Sequence, residues 1–271
     1  MSARQTFPHW TKTLNPANLD GIFGFGRLNV PEENPSSSAR PARKQQQRSV
    51  ITQQKLLDAA IQAFSENGFN GTSTRDIAER AGVHHPLITY HFKNKEQLWR
   101  AAADRVFREF THSIAASMEE NQDKNPKERM IAMIHVYVQY ARNHPALHKV
   151  MIQEASYPNA RLDWLIDTHL KPFFDATYGL WEELQQLGVA PPGNPALLIN
   201  MIRLSSGGLL ALGNELKKSS NIDIDAPGTL DEIAEMIVRI FLPGDIAATG
   251  NQGTREPLIN SELPYSNSFI L

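Results

Sequence analysis

The fold is decided by RDIAERAGVHHPLITYHFKNKEQL, residues 75 to 98. Apolar residues recur at helical spacing just before it, over residues 50 to 67. The stretch itself divides into two short helices, over 74 to 80 and 85 to 91, around a turn that contains glycine. Pro86 is compatible with the second of these, because a proline in the first turn removes no intrahelical hydrogen bond. Two short helices across such a turn predict a helix-turn-helix.

Capping signals set the limits of these helices. Ser73 with Asp76 has the spacing of a capping box ahead of helix two, and Asn94 with Gln97 has it ahead of a fourth helix. Along that fourth helix apolar residues recur every four positions over residues 98 to 118, a stripe too long to serve a small head alone. We therefore expect helix four to link the head to a second helical domain.

The run from Arg48 to about Arg100 resembles the DNA-binding domain of the TetR family of bacterial transcriptional regulators. The residues that carry the resemblance are Ala60, Phe64, Gly68, Phe69, Ser73, Ile77, Ala78, Ala81, Gly82, Val83, Phe92, Lys95, Glu96 and Leu98. His84 departs from the family pattern, which usually has a serine there, and so does Thr89, where the family often has a tyrosine. These departures bear on base preference rather than on the fold.

The resemblance implies an all-α protein, in which a three-helix helix-turn-helix head precedes a larger helical domain that binds an effector and dimerises. It also implies that helix four transmits ligand binding to the head. We assign residues 48–94 to the DNA-binding domain and 95–243 to the ligand-binding and dimerisation domain. Residues 1–47, which are rich in proline, serine and glutamine, predict a disordered leader with a basic end, and 244–271 a flexible tail.

Charge is distributed unevenly along the chain. A net charge of −2 argues against a nucleic-acid-binding protein until its distribution is considered. Residues 40 to 95 contain nine basic and four acidic side chains, a net charge of +5, which leaves −7 for the remainder. One end of the chain is therefore suited to phosphates and the other is not.

Several classes of protein find no support in the sequence. There is no cysteine, and no apolar run approaches the roughly 20 residues of a membrane span or the pattern of a signal peptide. No paired nucleophile and base, carboxylate pair or cofactor motif predicts an enzyme. His84 and His91 would lie about 10.5 Å apart along a helix axis, too far to share a metal ion, and His144 with His148 lacks a third ligand. We expect a cytoplasmic protein without a metal, a cofactor or a membrane partner.

Helix three would present its N-terminal side chains to base edges in the major groove of double-stranded DNA. On a helical wheel Ile88 and Phe92 point inward. The residues assigned to DNA are His84, His85, Leu87, Thr89, Tyr90 and His91 on this side, Ser73, Thr74 and Lys95 at helix N-termini, and Arg48 before the first helix. Of these, His85, Leu87 and Thr89 are expected at bases.

Five of the other DNA candidates are expected at phosphates. Tyr90 and His91 have this role at the matching positions of the family. Ser73, Thr74 and Lys95 lie at helix N-termini, where free amides and the helix dipole favour an anion. Two alternatives stay open, because a serine there can be a cap and nothing more, and the basic residues before helix one can be a solvated linker rather than an arm on DNA.

From residue 126 to 243 the pattern is helical, with segments predicted over 126–143, 145–155, 161–187, 194–218 and 229–242. Aromatic and methionine side chains with sparse polar ones are typical of small-molecule sites, although such stripes are often ordinary core. The ligand-binding candidates are His135, Tyr137, Phe173, Phe174, Tyr178, Trp181, Asn200 and Arg203. The polar members need partners on largely apolar helices, and a ligand carboxylate or hydroxyl could supply one.

The last two helices predict a dimer interface. The candidates are Ile202, Gly207, Gly208, Leu209, Leu212, Ile233, Ile237 and Ile240. Two amphipathic helices per subunit can pair with their symmetry mates into a four-helix interface, which matches how the family dimerises. Glycine costs roughly 1 kcal/mol in a helix, so its presence indicates a packing reason, and a buried crossing within one subunit would explain it equally well.

These features predict a homodimeric, ligand-responsive transcriptional regulator, a repressor that a small-molecule effector releases from a near-palindromic operator. The two half-sites would lie about one helical turn, roughly 34–36 Å, apart. The alternative is a DNA-binding regulator or organiser without a small-molecule effector, controlled by a protein partner.

Overall fold

The structure, a computed structural model, describes residues 40–246, with side chains from residue 45 onwards. The predicted leader and tail lie outside the described residues except at their inner ends. Residues 40–47 are helical, so the prediction of a disordered leader is wrong for them. At the other end the amide of Gly244 donates a hydrogen bond to the carbonyl of Val189 (3.1 Å), and Lys127 donates to the carbonyl of Gly244 (2.7 Å). The start of the predicted tail is therefore bound to the helical body.

The described residues fold into helices, and none of them forms a strand. The helices are α1 (Arg40–Gly71), α2 (Thr74–Ala81), α3 (Pro86–Phe92), α4 (Lys95–Glu120), α5 (Pro126–Asn143), α6 (Ala146–Ala155), α7 (Ala160–Leu165), α8 (Lys171–Gln186), α9 (Pro195–Arg203), α10 (Leu209–Ala211), α11 (Gly213–Ser219) and α12 (Thr229–Phe241). Two π-helical turns, Ile166–Leu170 and Leu204–Gly208, join α7 to α8 and α9 to α10. The predicted all-α fold is confirmed.

Helices α1 to α3 form the head. Its core consists of Leu56, Phe64, Ile77, Ile88 and Phe92, which are all buried. These side chains come from one face of each helix, as the periodicity predicted, and their burial removes apolar area from water at about 25 cal/mol per Å². Helix α1 packs on α2 within the head and also on α4 and α6.

Short-range signals end and begin the helices of the head. Helix α1 continues to residue 71, past its predicted end, with a break at Gly68 (φ 67°, ψ 176°) that glycine adopts without strain. The Ser73 hydroxyl accepts a hydrogen bond from the amide of Asp76 (3.0 Å), and Asn94 accepts one from the amide of Gln97 (2.8 Å). Both predicted N-caps are therefore present.

Helix α4 belongs to both domains. Near its N-terminus Leu98 and Trp99 are buried toward the head, and farther along Phe107, Phe110 and Ile114 are buried in the second domain. Helices α1, α5 and α6 all pack against it. The long stripe that predicted a connecting helix is thus divided between two cores.

The second domain is built around α5, which contacts α4, α8 and α12. Asn125 and Glu128 form a reciprocal capping box at its start. The segment predicted as one helix over 194–218 is interrupted by a π-helical turn and then bends by 72° between residues 195–211 and 213–219. A Cβ on Gly213 would overlap the side chain of Ile224, so the bend lets that side chain pack directly on the backbone.

Within the part of the chain that the structure describes, no single helix is long and apolar enough to cross a membrane. The segments Pro195–Ala211 and Gly213–Ser219, with the bend between them, are together long and apolar enough, judged by length and composition alone.

Candidate DNA-binding surface and effector cavity

Helix α3 has one buried and one open side. Ile88 and Phe92 lie in the core of the head, whereas Thr89 and Tyr90 are exposed. The exposed fraction of Tyr90 reaches 76%. His84 and His85 precede the helix and are also exposed, and Leu87 and His91 are half-buried at its margins. The predicted DNA side therefore has the accessibility that base contacts need.

The structure brings together two residues that the sequence had assigned to different roles. His85 Nε2 lies 2.9 Å from Thr74 Oγ1, at hydrogen-bonding distance. This contact joins the start of α3 to the start of α2, because His85 occupies the position just before α3 with helical dihedral angles. A base contact by His85 and a phosphate contact by Thr74 would therefore be coupled through one hydrogen bond.

Lys95 is placed differently from the other DNA candidates. Its ammonium lies 4.4 Å from the centre of the Phe69 ring, and burial, followed by the charge of Arg161, lowers its pKa. Ser73 is occupied as a cap of α2. The side chain of Lys95 thus faces the junction between the domains, and its contact with phosphate stays a prediction.

Basic side chains of the head differ in whether they are already paired. Arg80 is held by Glu66 (2.6 Å) and by Asp76 (3.1 Å). Within residues 45–246, by contrast, no carboxylate lies within 4.0 Å of Arg75 or Lys93, and the same is true of Arg48. Arg75 and Lys93 are exposed beside the N-termini of α2 and α4. They were missing from the predicted contacts because a sequence does not show which cations lack an acidic neighbour.

The junction of the two domains is an aromatic and charged cluster. The Arg161 guanidinium lies 4.0 Å from the centre of the Phe69 ring, on the α1 side. Its Nε donates to both carboxylate oxygens of Glu154 (3.1 Å each), and Glu154 is 4% exposed. Gln153 Nε2 also donates to the carbonyl of Ser65 (3.2 Å). Arg161, Glu154 and Phe69, which we call the junction cluster, therefore connect the second domain to the head.

The second domain encloses a largely apolar cavity of about 60 Å³, measured as the space open to the centre of a water-sized sphere. It is lined by Phe107, Phe110, Thr111, Ile114, Met130, Met133, Ile134, Tyr137, Leu147, Met151, His169, Leu170, Phe173, Phe174, Thr177, Trp181, Ile199, Ile202 and Arg203. Apolar walls with a few convergent polar groups are the usual construction of a small-molecule site.

Tyr137, one of the polar side chains that line this cavity, contacts His148. The Tyr137 hydroxyl lies 2.6 Å from His148 Nε2, and the ring is so close to Gly207 that a Cβ there would overlap it. Burial, followed by the charge of Arg203, lowers the pKa of His148 to about 4. Burial also raises the pKa of Tyr137 well above its usual range. Both groups are therefore neutral at physiological pH.

A second histidine faces the cavity from the π-helical turn after α7. His169 is buried, stacks on Phe107 with 4.8 Å between ring centres, and has a pKa lowered to about 4, mainly by burial. Its Nε2 lies 3.5 Å from Asp104 Oδ1 but makes no hydrogen bond within the described chain. Because α4 supplies both Phe107 and Asp104, this neutral histidine joins the cavity to the connecting helix.

The ligand candidates divide into two groups. Tyr137, Phe173, Phe174, Trp181 and Arg203 line the cavity. The residues placed outside its lining are His135, Tyr178 and Asn200. Asn200 contributes indirectly, because its side-chain oxygen accepts hydrogen bonds from Arg203 (3.1 and 3.3 Å).

Half of the eight dimer candidates are buried within one subunit. Ile202, Gly207, Ile233 and Ile237 lie in its core, Gly208 and Leu209 are half-buried, and only Leu212 and Ile240 are exposed. Gly207 has the intrachain packing reason given above, so the alternative of a crossing within one subunit is correct for it. The exposed apolar residues on α9 to α12 are Leu197, Met201, Leu204, Leu212, Met236 and Ile240, which we call the outer stripe.

No group of three or more histidine, aspartate or glutamate side chains in the described range has the geometry of a metal site.

Comparison with known proteins agrees with this architecture. Residues 56–102 match the family model of bacterial regulatory proteins, tetR family. The chain is 25% identical over 198 residues to the HTH-type transcriptional regulator RutR of Escherichia coli K12, a match that covers 73% of this chain and 92% of RutR. It is 24% identical over 121 residues to the "Probable HTH-type transcriptional regulator YttP" of Bacillus subtilis, covering 45% of this chain and 58% of that relative. The chain thus spans just over half the length of YttP.

A solved structure extends the likeness to the second domain. The transcriptional regulator FadR of Bacillus subtilis, in complex with stearoyl-CoA, superposes with a TM-score of 0.52 at 22% identity, covering 68% of this chain and 97% of FadR. At that identity the likeness shows the fold alone. The matched head and the regulators to which the chain is similar support a transcriptional regulator of TetR type, with a tetR-family DNA-binding domain that includes residues 56–102.

Proposed function

We propose that this regulator is a repressor, that it binds a near-palindromic operator as a homodimer, and that a small molecule in the cavity of the second domain releases it. The observation that carries the proposal is the position of Phe107. It lines the effector cavity and also a small gap of about 10 Å³ that Ile61 and Phe64 of the head line as well. One side chain therefore touches both the ligand space and the DNA-binding domain.

This arrangement supports a route for the signal. A ligand that displaces Phe107 or Phe110 moves α4, and α4 packs on α1 of the head. The junction cluster provides a second contact, because Arg161 lies in α7 of the second domain while Phe69 belongs to the head. Release requires the ligand to prefer the conformation that does not fit DNA, and a 100-fold preference corresponds to about 2.7 kcal/mol of coupling.

The outer stripe supports the homodimer. Leu197, Met201 and Leu204 recur at spacings of four and three residues, so they share one side of α9 and the start of the π-helical turn. Met236 and Ile240 are exposed on α12, which contacts α9. Contiguous exposed apolar patches mark association sites, and a two-fold axis would pair this surface with its own copy. Such a dimer would act in the cytoplasm, where its operator is.

The residues proposed to contact bases and phosphates lie on the exposed side of the head. We assign base contacts to His85, Leu87 and Thr89, and phosphate contacts to Tyr90 and His91. Arg75 and Lys93 join the phosphate contacts because the described residues give them no acidic partner. Lys95 keeps its backbone amide at the N-terminus of α4 even though its side chain faces Phe69.

The test is selection of bound sequences from a random DNA pool by the purified full chain at two salt concentrations. We expect a palindromic motif with half-sites about one helical turn apart. A library of apolar small molecules is then screened for compounds that raise the melting temperature and release the selected DNA. Sequence-specific binding without any stabilising compound would favour control by a protein partner, and salt-sensitive binding without a motif would refute the operator.

A further inference from the structure

The effector cavity has one permanently charged side chain among its described lining residues, and that is Arg203. Two of its nitrogens, Nε and Nη2, donate to the Asn200 side-chain oxygen (3.3 and 3.1 Å), and Asn200 is held in turn by donating to the carbonyl of Ala196 (2.8 Å). The third, Nη1, lies 4.0 Å from the sulfur of Met151, which also lines the cavity. The guanidinium is thus fixed at one edge and weakly satisfied at the edge that faces the cavity wall.

No carboxylate in the described chain neutralises Arg203. None lies within 4.0 Å of its guanidinium among residues 45–246. A half-buried guanidinium beside apolar walls loses hydration, and natural proteins compensate such a charge with an anion. Arginine is suited to this, because its planar fork binds both oxygens of a carboxylate.

Neutral polar groups lie near the same end of the cavity. Tyr137 lines the cavity, and its hydroxyl is bonded to His148, a 2%-exposed ring whose Nδ1 has no hydrogen-bond partner in the described residues. The charge of Arg203 reaches both groups, since it contributes to the pKa of each. These three side chains, which we call the polar corner, combine one cation with a phenol and a neutral imidazole.

The rest of the lining is suited to an aliphatic chain. Along α4 it extends from Phe107 to Ile114, about 10 Å at 1.5 Å per residue. Phe173 to Trp181 cover a similar length of α8. Methionine side chains, which adapt to irregular ligands, complete the wall.

Resting on the proposed function, we propose that the effector is an amphipathic carboxylate of medium chain length. Its carboxylate pairs with Arg203 and accepts a hydrogen bond from the Tyr137 hydroxyl, whose oxygen in turn accepts one from His148 Nε2–H. Its aliphatic chain lies between α4 and α8. A neutral head group would leave the guanidinium without an anion, and a cationic one would be repelled by it. Head-group charge, more than chain length, therefore decides which compounds bind.

The test compares decanoate with decanol, which has the same chain and an uncharged head, by isothermal titration at pH 7.5 on the full chain. We expect decanoate to bind at least tenfold more tightly than decanol. Arg203→Met, which keeps the side-chain volume, should lower the affinity for decanoate to that for decanol and leave decanol unchanged. Lys218→Met removes the same charge from an exposed position of α11 and should preserve the preference. Decanoyl-CoA is the third probe, because its charges lie beyond the thioester.

Four results would overturn the inference. These are equal binding of decanoate and decanol by the parent chain, a preference that survives Arg203→Met, binding of decanoyl-CoA alone, and binding of none of the three probes. Neither of the first two results can be produced by a variant that fails to fold. Arg203→Lys keeps the positive charge but lacks the planar fork, so it separates the effect of charge from that of geometry. Each of these results leaves the proposed function standing if the compound screen finds another molecule that releases DNA.

Discussion

Gly207→Ala is the substitution for which the structure makes the sharpest prediction. A Cβ at this position would overlap the imidazole of His148, so the ring or the backbone must move. Overpacking of this kind costs about 1–3 kcal/mol. Loss of the Tyr137–His148 hydrogen bond adds about 0.5–1.5 kcal/mol. We expect a total destabilisation of about 2–4 kcal/mol, which corresponds to a fall in melting temperature of about 5–15 °C for a chain of this size.

The neighbouring glycine provides a matched control. Gly208 belongs to the same π-helical turn, but a Cβ there would meet the side chain of Leu204 at 3.5 Å, an ordinary contact. Gly208→Ala should therefore be neutral or stabilising by about 0.5–1 kcal/mol, because alanine is the better helix former. Thermal unfolding at one fixed protein concentration measures both variants, because formation of the proposed dimer would make stability depend on concentration.

A double-mutant cycle then identifies the cause. If the overlap with the imidazole is responsible, His148→Ala makes room for the new methyl group, and Gly207→Ala should cost little in that background. Equal melting temperatures for Gly207→Ala and Gly208→Ala would refute the reasoning. So would an undiminished cost of Gly207→Ala in the absence of the imidazole.

The remaining predictions concern charge and association. Arg75→Ala should weaken binding to all DNA sequences and reduce the slope of log affinity against log salt by about 1, measured by fluorescence anisotropy. The buried neutral His148 and His169 bind protons only near pH 4 in the folded chain and near pH 6.5 when unfolded, so stability should fall as pH drops through this window. Leu204→Glu in the outer stripe should shift the protein toward monomer in analytical ultracentrifugation, whereas Leu187→Glu, at a similarly exposed position, should not.

Each of these has a result that would contradict it. An unchanged salt slope would remove Arg75 from the phosphate contacts. A melting temperature that stays constant from pH 7 to pH 4.5, at constant ionic strength, would mean that the two histidines are not buried in the neutral form. Dissociation of the dimer by both glutamate variants, or by neither, would show that the outer stripe is not its interface.

Local signals predicted the head in detail. The caps at Ser73 and Asn94 were predicted within a residue, because each depends on a side chain that bonds an amide three positions away. Helix α1 is the exception, since residues 40–47 carry no apolar periodicity and were expected to be disordered. Periodicity detects helices that bury a face, and it does not detect an exposed extension of one.

Helical periodicity predicted less well which residues are buried in the second domain. The π-helical turns at residues 166–170 and 204–208 each insert a residue into the helical repeat, which rotates everything that follows by about 100°. Gly207 and Leu212 were both assigned to the dimer interface, although the first is buried against His148 and the second is exposed. On α12, Ile233 and Ile237 are buried within their own subunit, and only the side of the helix next to them is exposed.

An all-α chain with a helix-turn-helix head could be predicted from local signals, because caps, turns and periodicity act within a few residues, and the similarity to TetR-type regulators came from the residues of the head. Only the tertiary structure decided which side chains share a cavity. Arg203 and Tyr137 line the cavity from two helices, His148 contacts Tyr137 from a third, and nothing in their spacing shows that they converge or that Arg203 lacks an acidic neighbour. Such convergence depends on how the helices cross, and helix crossing is set by the packing of the whole domain.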